Sequence, residues 1–130
     1  MRLLLDTHLL LAIINAAPEK MSEAHREILS DPRHEFVAST ASLWEIAIKF
    51  RLGKLPLRIA LGEVSAYLEA SGISVLPVTA GHATAEALPI PRTRDPFDRL
   101  LLAVAQVEGA PLLTTDSLLA GHPLSWSGTA

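Results

Sequence analysis

Arg2-Leu3-Leu4-Leu5-Asp6-Thr7-His8-Leu9-Leu10 holds both halves of a β–α unit. A short unbroken apolar run reads as a strand buried on both faces. The acid that ends it is a natural N-cap for the apolar helix from Thr7 to Asn15. The same grammar returns near the other end of the chain, where Leu112-Leu113-Thr114 leads to Asp116. Strands that alternate with helices in this way form a parallel sheet.

Between these two units the pattern repeats. Ser22 to Leu29 reads as a helix stopped by Pro32, Glu35 to Ala38 as a strand, and Ser39 to Leu52 as a helix closed by Gly53. In that helix Leu43, Ile46, Ala47 and Phe50 form an apolar stripe, which Trp44 and Ile48 widen. Ile59 to Ala70 is amphipathic, Ile73 to Leu76 is a third strand, and Thr79 to Ala87 is a short helix before a Pro-rich loop. Pro96 to Glu108 is apolar nearly all round, so a buried helix is expected. Pro111 to Thr114 is a fourth strand, Ser117 to Ala120 one helical turn, and Leu124 to Trp126 a last short strand.

The 130 residues make one domain, 1–130, and 49% hydrophobic content with a mean hydropathy of +0.32 is ample for a core. The surplus predicts an apolar groove and a dimer face. There is no cysteine, which excludes a disulfide framework and fits a reducing cytoplasm. No signal peptide and no membrane-spanning run is expected. Net charge is −3, unlike a protein with one large basic face. The bases are nevertheless clustered, as Lys49, Arg51, Lys54, Arg58 and as Arg92, Arg94, Arg99. Local patches bind phosphates while the whole stays acidic; the alternative is a solvated helix face and a loop.

Asp6, Glu45, Asp98 and Asp116 stand where an open parallel sheet gathers its strand ends and helix starts, the edge at which such sheets bind ligands. Each has a plain structural reading. Asp6 and Asp116 suit helix caps, and Glu45 has capping-box spacing from Ser42 and ion-pair spacing to Lys49. Asp98 lies three after Asp95, with Pro96 at the favoured first helical position. Together they pose a charge problem. Two carboxylates ~6 Å apart repel by roughly 3 kcal/mol at an effective dielectric near 20. Six such pairs approach ~17 kcal/mol, against the ~5–15 kcal/mol that stabilises a domain. Either some are protonated, or they are apart, or a cation sits among them. All-oxygen ligation selects Mg²⁺ or Mn²⁺ over zinc. Thr7 adjoins Asp6, Thr114 precedes Asp116 by two, and Asp95 reads as the cap of the helix from Pro96. His8 reads as packing or surface. The five histidines share no ligand spacing, and there is no phosphate-binding glycine loop or nucleophile elbow.

These segments resemble the acidic motifs of PIN domains. Leu4 to Leu10 is similar to the opening motif. Ala41 to Lys49, with Arg51-Leu52-Gly53-Lys54-Leu55, is similar to the second. Arg94-Asp95-Pro96-Phe97-Asp98-Arg99 resembles the third, and Leu112 to Asp116 the fourth. Their combination and order resemble the VapC toxins of type II toxin–antitoxin pairs. Thr93 departs from the pattern, where close relatives often carry His, and so does Val104, where Gln is common. The resemblance implies a three-layer α/β/α sandwich with a short, mostly parallel sheet. It implies an Mg²⁺- or Mn²⁺-dependent endoribonuclease, a homodimer, a VapB-type antitoxin and a cytoplasmic setting. Asp6, Asp98 and Asp116 are then direct ligand candidates, Glu45 a water-mediated one, and Lys49, Arg51 and Arg99 phosphate contacts. Two other classes compete. A phosphoacceptor receiver wants an acidic pair at the first strand, and only Asp6 is there. A non-catalytic PIN-like module would lack an acid, and none is missing.

Overall fold

Four short parallel strands carry the fold in a computed structural model, which describes residues 1–126. They are β1 (Arg2–Leu5), β2 (Glu35–Ser39), β3 (Ile73–Leu76) and β4 (Leu112–Leu113), in the order β3-β2-β1-β4. The helices among the described residues are α1 (Thr7–Ile14), α2 (Glu23–Leu29), α3 (Thr40–Arg51), α4 (Val64–Ala70), α5 (Ala80–Thr84), α6 (Pro96–Glu108) and α7 (Ser117–Ala120).

Alternation along the strands produces the three layers. Leu4 is in register with Val37 and with Leu112, and these three pack with Leu101, Leu102, Val104 and Ala105 of α6 and Leu119 of α7. One residue on, Leu5, Ala38 and Leu113 point the other way and pack with Leu9, Leu10 and Ile14 of α1, Ile46 of α3 and Leu68 of α4. Both faces are therefore covered, which is why β1 is a continuous leucine run with no polar side. Each such leucine is worth ~1.5–3 kcal/mol of burial, so Leu4→Ala in the sheet centre is expected to cost ~2–5 kcal/mol.

The chain steps from β1 outward to β2 and β3, then crosses back to lay β4 on the other side of β1. The crevice between the carboxyl ends of β1 and β4 is thus the topological switch point. Helix starts crowd that edge. Asp6 caps α1 through Leu9 N (2.8 Å), and Asp116 caps α7 through Leu118 N (2.8 Å). Asp95 caps α6 through Phe97 N (2.8 Å). The other end of α6 stops at Gly109, whose φ of 62° is left-handed backbone that glycine adopts without strain.

The opposite, amino end of the sheet is closed by ion pairing. Arg2 donates to Glu108 Oε1 (2.6 Å), and buried His82 bonds Glu108 Oε2 through Nε2 (2.7 Å). Thr79 N–H donates to His82 Nδ1 (3.2 Å), so the ring proton sits on Nε2 and points at the carboxylate.

Four expected elements are shorter than their pattern, β4 keeping only Leu112–Leu113 of the expected Pro111 to Thr114. The stretch from Ile59 holds a 3-10 turn at Leu61–Glu63, and α-helix starts only at Val64. The helix expected to reach Ala87 ends at Thr84. There the Gln106 amide takes over, accepting from Leu88 N (2.9 Å) and donating to Glu86 O (2.9 Å). The last strand is a single parallel bridge between Ser125 and Leu112. α3 is capped by Ser39 rather than through Ser42, which is buried.

Candidate functional site

Asp6 leaves β1 and is 2% exposed, and its carboxylate accepts three hydrogen bonds. Oδ1 accepts from Leu9 N, and Oδ2 accepts from the Thr114 hydroxyl and from Thr115 N (3.2 Å). Thr114, at the end of β4, also accepts from Asp116 N (3.0 Å). One hydroxyl therefore ties the two acids across the switch point.

Glu45 is 4% exposed, one and a half turns into α3. Oε1 accepts from the Thr7 hydroxyl (2.7 Å), which shares a further hydrogen bond with buried Ser42 (3.0 Å). Oε2 accepts from Lys49 Nζ at 2.5 Å. The ion-pair spacing thus forms its pair, but inside the fold. Ser42, Glu45 and Lys49 make a polar seam toward α1, so the apolar stripe expected on α3 shrinks to Ile46 with its half-buried neighbours. Trp44 is left 62% exposed. The carboxylate of Glu45 beside Lys49, with Asp95 and Asp98 nearby, holds the ammonium above its ordinary range.

Asp98 lies in the first turn of α6, where Thr93 donates to Oδ2 (3.1 Å). Burial, then the charge of Asp95, pushes its carboxyl above the usual aspartate range; Asp116 and Glu45 push in the same direction, and Thr93 opposes them. Glu45 and Asp116 are thus charged neighbours of Asp98. They do not close on it: among the described residues no three carboxylate or imidazole groups form a ready ligand set. The physical reason is visible in the bonds. Each acid is held back by its own cap or hydroxyl, which is the arrangement that least concentrates like charge.

The donor set fits a hard divalent ion. It is all oxygen, the Asp98 carboxyl is already raised by burial and then by its acidic neighbours, and among the described residues Lys49, on Glu45, is the cation bonded to it. One oxygen each of Asp98 and Asp116 accepts no hydrogen bond among the described residues. A cavity of about 380 Å³ opens beside the cluster between His8, Thr115, Asn15, Lys20 and Lys54, and His8 is exposed there.

The basic residues divide by what they touch. Lys49 belongs to Glu45. Arg99 donates to the carbonyls of Thr93 (2.7 Å) and Pro91 (3.3 Å) and so pins the loop before α6. Arg58 bonds Ile14 O and Tyr67. Arg51, Lys54, Arg92 and Arg94 are exposed and bond no other side chain among the described residues. Ser42 and Thr93, which the sequence offers as a cap and as a departure from the motif, instead bond Thr7 and Asp98. A hydroxyl three residues before a motif acid, and one five residues before another, was the available signal.

An open parallel α/β fold with acids gathered at its switch point defines the class. The PIN domain model matches residues 3–121, so the chain belongs to the PIN domain family. Over 31 residues it is 58% identical to Ribonuclease VapC16 of Mycobacterium tuberculosis (strain ATCC 25618 / H37Rv). That stretch is 24% of this chain and 22% of the relative, so the match spans about a fifth of that protein.

Proposed function

We propose that this protein is an endoribonuclease toxin of the VapC type, dependent on Mg²⁺ or Mn²⁺ and acting as a single domain in the cytoplasm. The observation that supports the reading is that Asp6 and Asp116 are tied through Thr114 at the switch point, while Asp116 and the Lys49-bonded Glu45 are charged neighbours of Asp98. A bound divalent ion would supply a water of lowered pKa and positive charge for the scissile phosphate. Asp6, Asp98 and Asp116 would hold it.

The chain's own residues set the rest. Three donors fix Asp6, so its orientation does not depend on the ion. Thr114 couples Asp6 to the backbone of Asp116. Glu45, steadied by Thr7 and Lys49, would hold the ion through a water or orient the attacking water. No side-chain nucleophile is required. Arg51, Lys54, Arg92 and Arg94 are exposed cations that bond no other side chain among the described residues and would meet the strand's phosphates. Of the three bases expected to bind phosphate, only Arg51 keeps an unengaged side chain; Lys49 and Arg99 act through the frame of the site.

An apolar groove of about 320 Å³ between Ile13, Met21, Leu29, Phe36 and Ile73 supports docking of a VapB-type antitoxin segment. Exposed Leu88, Ile90 and Leu118 support a homodimer face. Among the described residues no helix is long and apolar enough to cross a membrane. The deciding experiment is incubation of the purified protein with total cellular RNA, with and without chelator, followed by mapping of new ends. Cuts that appear only with metal are expected. Cleavage that survives chelation would remove the metal, and no cleavage under any condition would remove the nuclease.

A further inference from the structure

Trp44 is the largest side chain the fold leaves outside, at 62% exposure, on a helix whose next residue is the buried Glu45. It is not adrift. Its ring meets Phe97 edge-to-face, with centroids 5.7 Å apart and planes at 67°. Phe97 directly precedes Asp98. The aromatic pair therefore bridges the two helices that deliver Glu45 and Asp98, on the rim of the acid cluster. Edge contact orients the indole and leaves a π-face available.

Charge continues the same line. Arg51 lies seven residues along α3 from Trp44, which is two helical turns on the same face, about 10 Å away. Arg94 lies three before Phe97. Both are exposed and bond no other side chain among the described residues. An exposed aromatic flanked by free guanidinium groups is the combination that binds single-stranded nucleic acid, the bases stacking and the phosphates pairing.

We propose that Trp44, oriented by Phe97, is a stacking platform for an unpaired base next to the cleaved bond. The proposal rests on the nuclease reading and assigns Trp44 as a specificity-determining contact.

The test is titration of a mixed-sequence single-stranded RNA heptamer, and of heptamers abasic at each position in turn, in chelator and low salt. Binding is read by tryptophan fluorescence in a Trp126→Phe background. Expected results are quenching by the intact RNA and roughly tenfold or greater weakening in Trp44→Ala by an independent binding assay. Trp44→Phe should largely restore affinity. One abasic position should weaken the background protein but cost Trp44→Ala nothing further. Absence of quenching, or an abasic penalty equal in both proteins, overturns the platform. So does a Trp44→Ala variant whose defect is a shift from dimer to monomer on sedimentation with unchanged RNA affinity, since the ring then belongs to a protein interface. If the protein cuts RNA but shows no quenching, the platform fails and the nuclease stands. If it quenches but never cuts, the nuclease fails and a binding surface remains.

Discussion

The two ends of β1 solve opposite electrostatic problems. At its amino end Arg2 and His82 each bond the Glu108 carboxylate within 2.7 Å, and little charge is left over. Just past its carboxyl end, four residues on and roughly 13 Å away, Asp6 joins three more acids with one bonded lysine among them. The first arrangement is complete in itself and holds α5, α6 and β1 together. The second is stable only because caps and hydroxyls hold the acids apart. Charge that the described residues leave unpaired makes this end the candidate binding site.

Asp6→Asn separates the two ends most sharply. The amide oxygen still caps Leu9, while the NH2 that replaces Oδ2 leaves Thr115 N–H without its acceptor, so the fold should persist with a loss of ~1–3 kcal/mol. Metal-dependent RNA cleavage should fall at least a hundredfold. Saturating Mn²⁺, at about a hundred times its dissociation constant, should stabilise wild type by ~2.7 kcal/mol, which is several degrees in melting temperature. Asp6→Asn should gain much less. Equal Mn²⁺ shifts in the two proteins would mean that the carboxyl end is another structural network.

The converse change is Glu108→Ala. It leaves the Nε2–H of buried His82 without a partner, which should cost ~1–3 kcal/mol by denaturant titration. Cleavage per folded molecule should not change, because nothing at the amino end reaches the acid cluster. A variant that folds normally and cuts poorly would tie the two ends together.

The sheet was readable from Leu3-Leu4-Leu5 because a strand buried on both faces admits no polar residue. The caps Asp6, Asp95 and Asp116 were readable because each must precede its helix by one residue. Trp44 and Glu45 were harder. Helical periodicity placed the indole on the core stripe, whereas Ser42, Glu45 and Lys49 turn that side of α3 polar. The partners that decide this, Thr7 and Phe97, lie 38 and 53 residues from Glu45 and Trp44 in the chain. The Arg2–Glu108–His82 network was not legible for the same reason: nothing local to His82 announces a carboxylate 26 residues away. The phosphate-binding role expected for Arg99 ran up against two loop carbonyls that only the fold brings within reach.

The smallest effect, and the finest test of the contrast, is the sign of the pH dependence. Hydrogen bonds from His82 and then Arg2 hold the Glu108 carboxyl below its ordinary value. The unfolded chain then binds that proton more readily, so the stability it contributes is present above the usual glutamate range and fades as pH falls through it. Asp98 runs the other way. Burial, and then its acidic neighbours, raise its carboxyl, so the folded chain keeps that proton longer and loses stability as pH rises. In chelator, the stability advantage of Asp98→Asn over wild type should therefore grow as pH climbs past the usual carboxylate range. The deficit of Glu108→Gln should grow over a lower interval, from the depressed carboxyl up to the usual glutamate value, and level off above it. Thr93→Val refines the point, because the lost hydroxyl is the one donor that favours ionised Asp98. Since such a bond is worth ~0.5–1.5 kcal/mol, that variant should cleave RNA about two- to tenfold more slowly at the acid end of the profile. At the alkaline end it should match wild type. A uniform loss across pH would mean that Thr93 positions the loop rather than the proton.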